Sequence, residues 1–281
     1  MKRYFGQNFL KNKSIINSIV DAIGIERNDF VLEIGPGRGA LTDVINFNFG
    51  DQINFTIVEK DTDLIPFLIE KYSKDDVRVV NNDFLKFDLN SYLMKPNIQD
   101  RKIKVFGNLP YNVSSPILFK LLFFRRYIKD QHVMLQKEVA DRLIAFPRRK
   151  SYGRLSVLMQ YFYDIEHLIN VDAINFYPVP KVQSVFLRMR PNDLYVKNLL
   201  DEPTFFSVVK QAFSMKRKMI KNCLSGLVCS KELENLEVPP TGRAEQISVG
   251  KFVEIANLIY KKFVGAIVGA KKPQNHQVID I

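Results

Sequence analysis

Asn108, Leu109, Pro110 and Tyr111 stand directly after the apolar run 103–107, and their types suit one kind of chemistry. The side-chain oxygen of an asparagine and the carbonyl of a proline can both accept hydrogen bonds from an NH2 group. An amine held through both protons directs its lone pair away from its ring and toward an electrophile. Pro110 lacks an N–H and has a fixed φ, so it turns the chain at a strand end. Tyr111 then presents a π-face, and stacking a base on such a face is worth roughly 1–3 kcal/mol. The four residues fit group transfer to the exocyclic amine of a base drawn out of its stack. By themselves they equally describe a strand-ending turn.

A second motif lies upstream. The buried-strand pattern Phe30-Val31-Leu32-Glu33-Ile34 runs into Gly35-Pro36-Gly37-Arg38-Gly39, and a helical pattern starts at Ala40. Glycines at such a junction let the backbone approach a ligand at a helix N-terminus. The spacing is G-x-G-x-G, whereas the dinucleotide fingerprint is G-x-G-x-x-G. A strand at 53–58 ends in Glu59, 24 residues beyond Gly35, where a carboxylate can take both hydroxyls of a ribose. A strand at 77–80 leads to Asp83, a candidate acceptor for an adenine amine. Gly35, Glu59, Asp83 and Asn108 at four successive strand ends point to a nucleoside cofactor carrying a methyl group. An NAD-dependent oxidoreductase is disfavoured by the glycine spacing and by the Asn-Leu-Pro-Tyr stretch.

These residues need a scaffold that brings strand ends together. Strands are expected at 30–34, 53–58, 77–80, 103–107 and 131–136, alternating with helices near 40–47, 62–72, 115–124 and 137–145. That alternation predicts an α/β fold with a Rossmann-like, doubly wound parallel sheet. A helix from an N-cap at Ser14 to Gly24 precedes it, with 7–10 as a flap over the ligand. Two last strands, near 161–169 and 182–189, are joined by only ten residues, 172–181, too few for a helical crossover, so they should be antiparallel. Beyond Arg190-Pro191-Asn192 the pattern is helical, as in 205–227 and 248–263, which predicts a small all-α C-terminal domain. The expected division is 1–190, 191–264 and a flexible tail of Gly, Lys and polar residues at 265–281.

A chain of 281 residues, 46% hydrophobic, has room for one such domain and a small appendage. Its net charge of +11 favours a polyanionic partner. Between 120 and 154 there are ten Lys and Arg against three acids. Arg125, Arg126, Arg148, Arg149 and Lys150 form the densest clusters, with Phe123, Phe124, Phe146 and Tyr152 among them. Lys216, Arg217 and Lys218 lie together on the expected helix 205–227. An RNA-facing surface is the functional reading of both groups, and a solvated basic face the plain one. Cys223, Cys229 and the three histidines, His132, His167 and His276, show neither redox nor metal spacing, so no metal is expected. No stretch approaches the roughly 18 apolar residues of a membrane span, and a cytoplasmic, monomeric protein is expected.

These motifs and several others resemble the small-subunit ribosomal RNA adenine dimethyltransferases. The resemblance covers nearly the whole chain. It runs through Phe5-Gly6-Gln7-Asn8-Phe9-Leu10, Glu33-Ile34-Gly35-Pro36-Gly37, Gly107-Asn108-Leu109-Pro110-Tyr111, Met134-Leu135-Gln136-Lys137-Glu138-Val139, Tyr152-Gly153-Arg154-Leu155-Ser156-Val157, Pro180-Lys181-Val182 and Arg243-Ala244-Glu245-Gln246-Ile247-Ser248. It implies a seven-stranded sheet with the last strand antiparallel. It also implies S-adenosylmethionine as cofactor, held by Asn8, Leu10, Gly35, Gly37, Glu59, Asp83 and Asn108. The substrate implied is two adjacent adenines near the 3′ end of small-subunit ribosomal RNA, with Asn108 and Pro110 orienting the amine and Tyr111 stacking on the base. Phe176 is the candidate for the opposite face, with a core role as its alternative. Val179 and Gln183 depart from the family pattern, where a proline and an acid are usual. Two rival functions share the fold: a large-subunit adenine methyltransferase conferring macrolide resistance, and a largely non-catalytic small-subunit assembly factor.

Overall fold

The five residues Phe30–Ile34 are all buried, as an interior strand of a sheet covered on both faces must be. In the computed structural model, which describes residues 8–96, 98–192, 196–215 and 217–270, this strand has neighbours on both sides. The chain begins with β1 (Phe9–Leu10), α1 (Lys13–Ile23), β2 (Phe30–Ile34), α2 (Ala40–Phe49), β3 (Asn54–Glu59), α3 (Ile65–Lys71) and β4 (Val77–Asn81). It continues through α4 (Leu89–Leu93), β5 (Ile103–Asn108), α5 (Ser114–Phe123), β6 (Ile128–Gln136), α6 (Lys137–Leu143) and α7 (Arg154–Phe162). Then come β7 (Tyr163–Val171), β8 (Phe176–Tyr177) and β9 (Ser184–Pro191).

Seven strands form one sheet in the order β4-β3-β2-β5-β6-β9-β7. β4, β3, β2, β5 and β6 pair in parallel, and β9 is antiparallel to both β6 and β7. This is the expected Rossmann-like sheet with its antiparallel last strand. The strand order departs in opposite directions from β2, toward β3 on one side and β5 on the other. Such a switch point opens a crevice at the carboxyl ends of the strands. Gly107 lets β5 come close there, because a Cβ on it would lie 2.4 Å from the carbonyl oxygen of Ile34. β1 and β8 make a separate antiparallel pair, with Leu10 opposite Phe176 and Phe9 opposite Tyr177.

α1 buries Ile16, Ile19, Val20 and Ile23 on one face, the 3–4 spacing of a helix on a core. Its N-cap is Asn12, not Ser14: the Asn12 side chain accepts from the backbone N–H groups of Ser14 and Ile15. Asparagine reaches these groups from one residue before the helix, and so begins it earlier than expected. Gly24, in the left-handed region, ends it as predicted.

The chain divides into two compact units. One comprises the sheet, up to Ile144 and again from Phe162 to Asn192; the other combines 145–161 with the chain after 192. The second unit holds α8 (Glu202–Ala212), α9 (Ile220–Cys223), α10 (Ser230–Asn235) and α11 (Val249–Ala270). Within it, the Tyr161 and Phe205 rings pack 4.3 Å apart, and the Tyr152 hydroxyl donates to the carbonyl of Ile247 at 2.9 Å. The continuous helix expected over 205–227 is broken. After Ala212 the backbone N–H of Ile220 goes to the Gly242 carbonyl at 2.7 Å and that of Lys221 to Pro240 at 3.2 Å. Tertiary partners thus replace the helical ones there. α11 runs on to Ala270, beyond the expected start of the tail at 265; residues 271–281 lie outside the described residues.

Candidate active site

The crevice between β2 and β5 is a cavity of about 330 Å³, within the size range of small-molecule sites. Asn8, Leu10, Gly35, Gly37, Glu59, Asn108, Pro110 and Tyr111 all line it. The parallel sheet delivers Gly35, Glu59 and Asn108 to one edge, because β2, β3 and β5 end side by side there.

Gly35, Gly37 and Gly39 all have positive φ. At Gly37 a side chain is also excluded by space, since a Cβ would meet the Phe9 ring at 2.9 Å. The loop is tied to β3, with the Gly37 N–H donating to Glu59 Oε2 at 3.0 Å. Glu59 Oε1 accepts from the N–H groups of Lys60 and Asp61, both at 2.8 Å. Burial raises the pKa of Glu59, and these three backbone donors oppose the rise. A carboxylate already oriented by the backbone, beside a glycine cradle, fits a ribose diol.

Asn108 closes β5 with its amide nitrogen donating to the Asn8 carbonyl at 3.0 Å. Leu109 is fully buried, and its N–H donates to the Met134 carbonyl at 3.2 Å. Pro110 accepts from Val113 N–H at 3.1 Å, which makes the turn and leaves one lone pair of its carbonyl. The Tyr111 ring is half-buried, and its hydroxyl shares a hydrogen bond of 2.9 Å with Ser184 Oγ. Burial raises its pKa, partly offset by that bond.

Glu33, on β2, also lines the cavity and is 2% exposed. It accepts from Thr42 Oγ1 at 2.6 Å. Burial, with the nearby Glu59 and Asp43 carboxylates adding to it, pushes its pKa up to about 8 against the pull of Thr42.

Two expected residues are not brought to the cavity. Asp83 is absent from its lining; its carboxylate pairs with Lys60 Nζ at 2.8 Å and accepts from Leu85 N–H at 3.0 Å. The Lys60 bond is the leading cause of its lowered pKa. Phe176 is fully buried, in one cluster with Leu10, Met134 and Phe186. Strand alternation turns its neighbour Tyr177 outward, 62% exposed and lining the cavity with Pro178. The aromatic that β8 offers the cavity is therefore Tyr177. Phe9 lies in the expected flap 7–10, whereas sequence reading gave no role of their own to Met134 and Ser184, whose parts depend on strand register.

The expected RNA-contacting residues fall in both units. In the first, Arg126 is exposed, whereas Arg125 is half-buried with its guanidinium 4.1 Å from the Phe162 ring centroid. That packing makes Arg125 a structural cation as much as a surface one. In the second, Arg148, Arg149, Lys150, Arg217 and Lys218 are exposed. Arg217 and Lys218 lie in the turn between α8 and α9, not on a helix, and Lys216 lies outside the described residues. Among the described residues no group of three or more His, Cys, Asp and Glu could hold a metal ion, and no helix is long and apolar enough to cross a membrane.

The chain is similar to known proteins over nearly its whole length. The family described as Ribosomal RNA adenine dimethylase matches residues 1–261. The ribosomal RNA small subunit methyltransferase A of Francisella tularensis subsp. novicida is 43% identical over 262 residues, covering 92% of this chain and 97% of its own. The protein of the same name from Hydrogenovibrio crunogenus is 42% identical over 265 residues, with the same coverage of 92% and 97%. Among solved structures, a dimethyladenosine transferase from Plasmodium falciparum shares the fold with a TM-score of 0.75 at 23% identity, over 91% of this chain and 98% of that one. The 23S rRNA methyltransferase ErmE gives 0.67 at 25% identity, over 90% and 100%. A match over nearly the whole chain, with relatives above 40% identity, shows that the chain belongs to the ribosomal RNA adenine dimethylase family.

Proposed function

We propose that this protein transfers methyl groups from S-adenosylmethionine to the exocyclic amines of two adjacent adenines near the 3′ end of small-subunit ribosomal RNA, during ribosome maturation. The observation that carries the reading is Asn108 at the mouth of a glycine-cradled cavity, with its amide nitrogen engaged by Asn8 and its oxygen left to accept. The cofactor residues fit the assignment: Gly35 and Gly37 give close backbone approach, Glu59 a ribose acceptor, and Asn8 and Leu10 the facing wall. S-adenosylmethionine, when bound, supplies a methyl on a sulfonium, which leaves readily.

The chain therefore needs no strong base. Asn108 Oδ1 and the remaining lone pair of the Pro110 carbonyl hold the two amine protons, which aims the nitrogen lone pair into the cavity. Tyr111 stacks on the base, repaying part of the few kcal/mol that extrusion costs. The nitrogen would form its bond to the methyl carbon as the carbon–sulfur bond breaks, sulfur keeping that electron pair, and would give up one proton to water. Orientation and proximity supply most of the rate. The second unit and the basic residues Arg126, Arg148, Arg149, Lys150, Arg217 and Lys218 contact the RNA within the small subunit or its precursor. The protein acts as a cytoplasmic monomer.

The relatives at 42–43% identity favour the small subunit over the large-subunit reaction suggested by the ErmE likeness. The deciding experiment offers labelled S-adenosylmethionine with undermethylated small subunits and, in parallel, protein-free large-subunit RNA, and maps the products by mass spectrometry. Dimethyladenine in the small subunit alone is expected. Label in large-subunit RNA would move the chain to the resistance enzymes, and label in neither would favour an assembly role.

A further inference from the structure

Tyr111 is held at both ends. Its backbone sits in the turn closed by Val113 N–H on the Pro110 carbonyl, and its own carbonyl accepts from Ser114 Oγ at 3.3 Å. Its far end, the hydroxyl, meets Ser184 Oγ at 2.9 Å. Ser184 is 1% exposed and opens β9, where it is paired with Gln136 of β6 and Val171 of β7. Two ladders thus fix the backbone that carries its hydroxyl. The preceding residue is anchored too, with Gln183 Nε2 donating to Asp172 at 3.0 Å and its carbonyl accepting from Lys137 N–H at 2.9 Å. A ring held only at its Cα can swing between χ1 rotamers. One also pinned at its para hydroxyl, which lies on the ring's long axis, keeps a single direction of that axis and cannot swing away.

We propose that Ser184 is a positioning residue that holds the Tyr111 ring as a fixed platform for the target base, and that this hold matters more for the second methyl transfer than for the first. The inference rests on the reading of Tyr111 as the stacking face. An unmodified adenine amine has two protons, one for Asn108 and one for Pro110. The monomethyl product has one proton left, so one orienting hydrogen bond is gone. Stacking on Tyr111 must then supply more of the alignment, and a ring free to tilt supplies less of it.

The test compares wild type with Ser184→Ala, Tyr111→Phe, the double variant and Ser184→Thr, which retains a hydroxyl. The first readout is the ratio of monomethyl- to dimethyladenine formed on undermethylated small subunits. The second, taken without cofactor, is the fluorescence quenching of 2-aminopurine placed at the target position of the RNA. Ser184→Ala and Tyr111→Phe should each raise the ratio at least threefold and weaken the quenching. The double variant should do no more than either single one, and Ser184→Thr should stay near wild type. S-adenosylmethionine affinity should remain within twofold throughout. A wild-type ratio and quenching in Ser184→Ala, or losses that multiply in the double variant, would overturn the proposal. Absence of methyl transfer by the wild-type protein would instead count against the function on which it rests.

Discussion

The side-chain nitrogen of Asn108 donates to the backbone carbonyl of Asn8 across 3.0 Å, joining the end of β5 to the residue before β1. This contact assigns the amide its orientation: with the nitrogen engaged, the oxygen is the atom available to an incoming amine. Replacing Asn108 by Ala removes an acceptor needed in the transition state, and a loss of about 10²–10³ in kcat is expected. Cofactor affinity, measured by calorimetry, should change only a few-fold. Retained turnover would take Asn108 out of the mechanism.

Glu59 accepts from three backbone N–H groups and also lines the cavity. Glu59→Gln keeps the size but loses the charge, and hydrogen bonds to charged groups are worth about 1.5–3 kcal/mol. Cofactor affinity should fall by one to two orders of magnitude. Calorimetric titration with S-adenosylmethionine checks this, and an unchanged Kd would refute the ribose role.

Glu33 gives the fold a pH dependence. Its folded pKa, about 8, lies above the ordinary value of 4.5. Between those two values the folded state holds a proton that the unfolded chain has lost, so this group's contribution to stability declines as pH rises. Glu33→Gln removes the titration. Its Tm should fall less than that of wild type between pH 5.5 and pH 8 in thermal unfolding; parallel declines would count against the assignment.

Phe176 and Tyr177 should separate stability from substrate handling. Phe176→Ala empties a fully buried site and should cost about 3–5 kcal/mol in denaturant unfolding. Tyr177→Ala should leave stability within about 0.5 kcal/mol, as exposed substitutions do, while raising KM for the RNA. The opposite pattern, normal stability with lost turnover in the Phe176 variant, would restore Phe176 as a stacking residue.

Arg148, Arg149 and Lys150 are all exposed. Changing all three to Ala should weaken RNA binding and flatten its dependence on salt by about 0.7–0.9 per phosphate contact removed. An unaltered slope would make this cluster a solvated face.

The central strands could be read from the chain because they are short, largely apolar runs, two of them ending in a residue of distinct chemistry, Glu59 and Asn108. The short 172–181 connection forced the antiparallel ending for the same local reason. The glycine loop and Asn108 to Tyr111 were legible because their residue types are unusual at strand ends. What only the tertiary structure decided concerns partners far apart in sequence. Asp83 ends the right strand, yet Lys60 takes its carboxylate. Phe176 and Tyr177 are adjacent aromatics, and only the pairing of β8 with β1 turns one into the core and the other toward the cavity. The helical period at 205–227 breaks because Gly242 and Pro240 offer carbonyls that the local pattern could not reveal. Local sequence carries propensity and period; which face is buried, and which polar atom meets which, is settled by register and packing between segments.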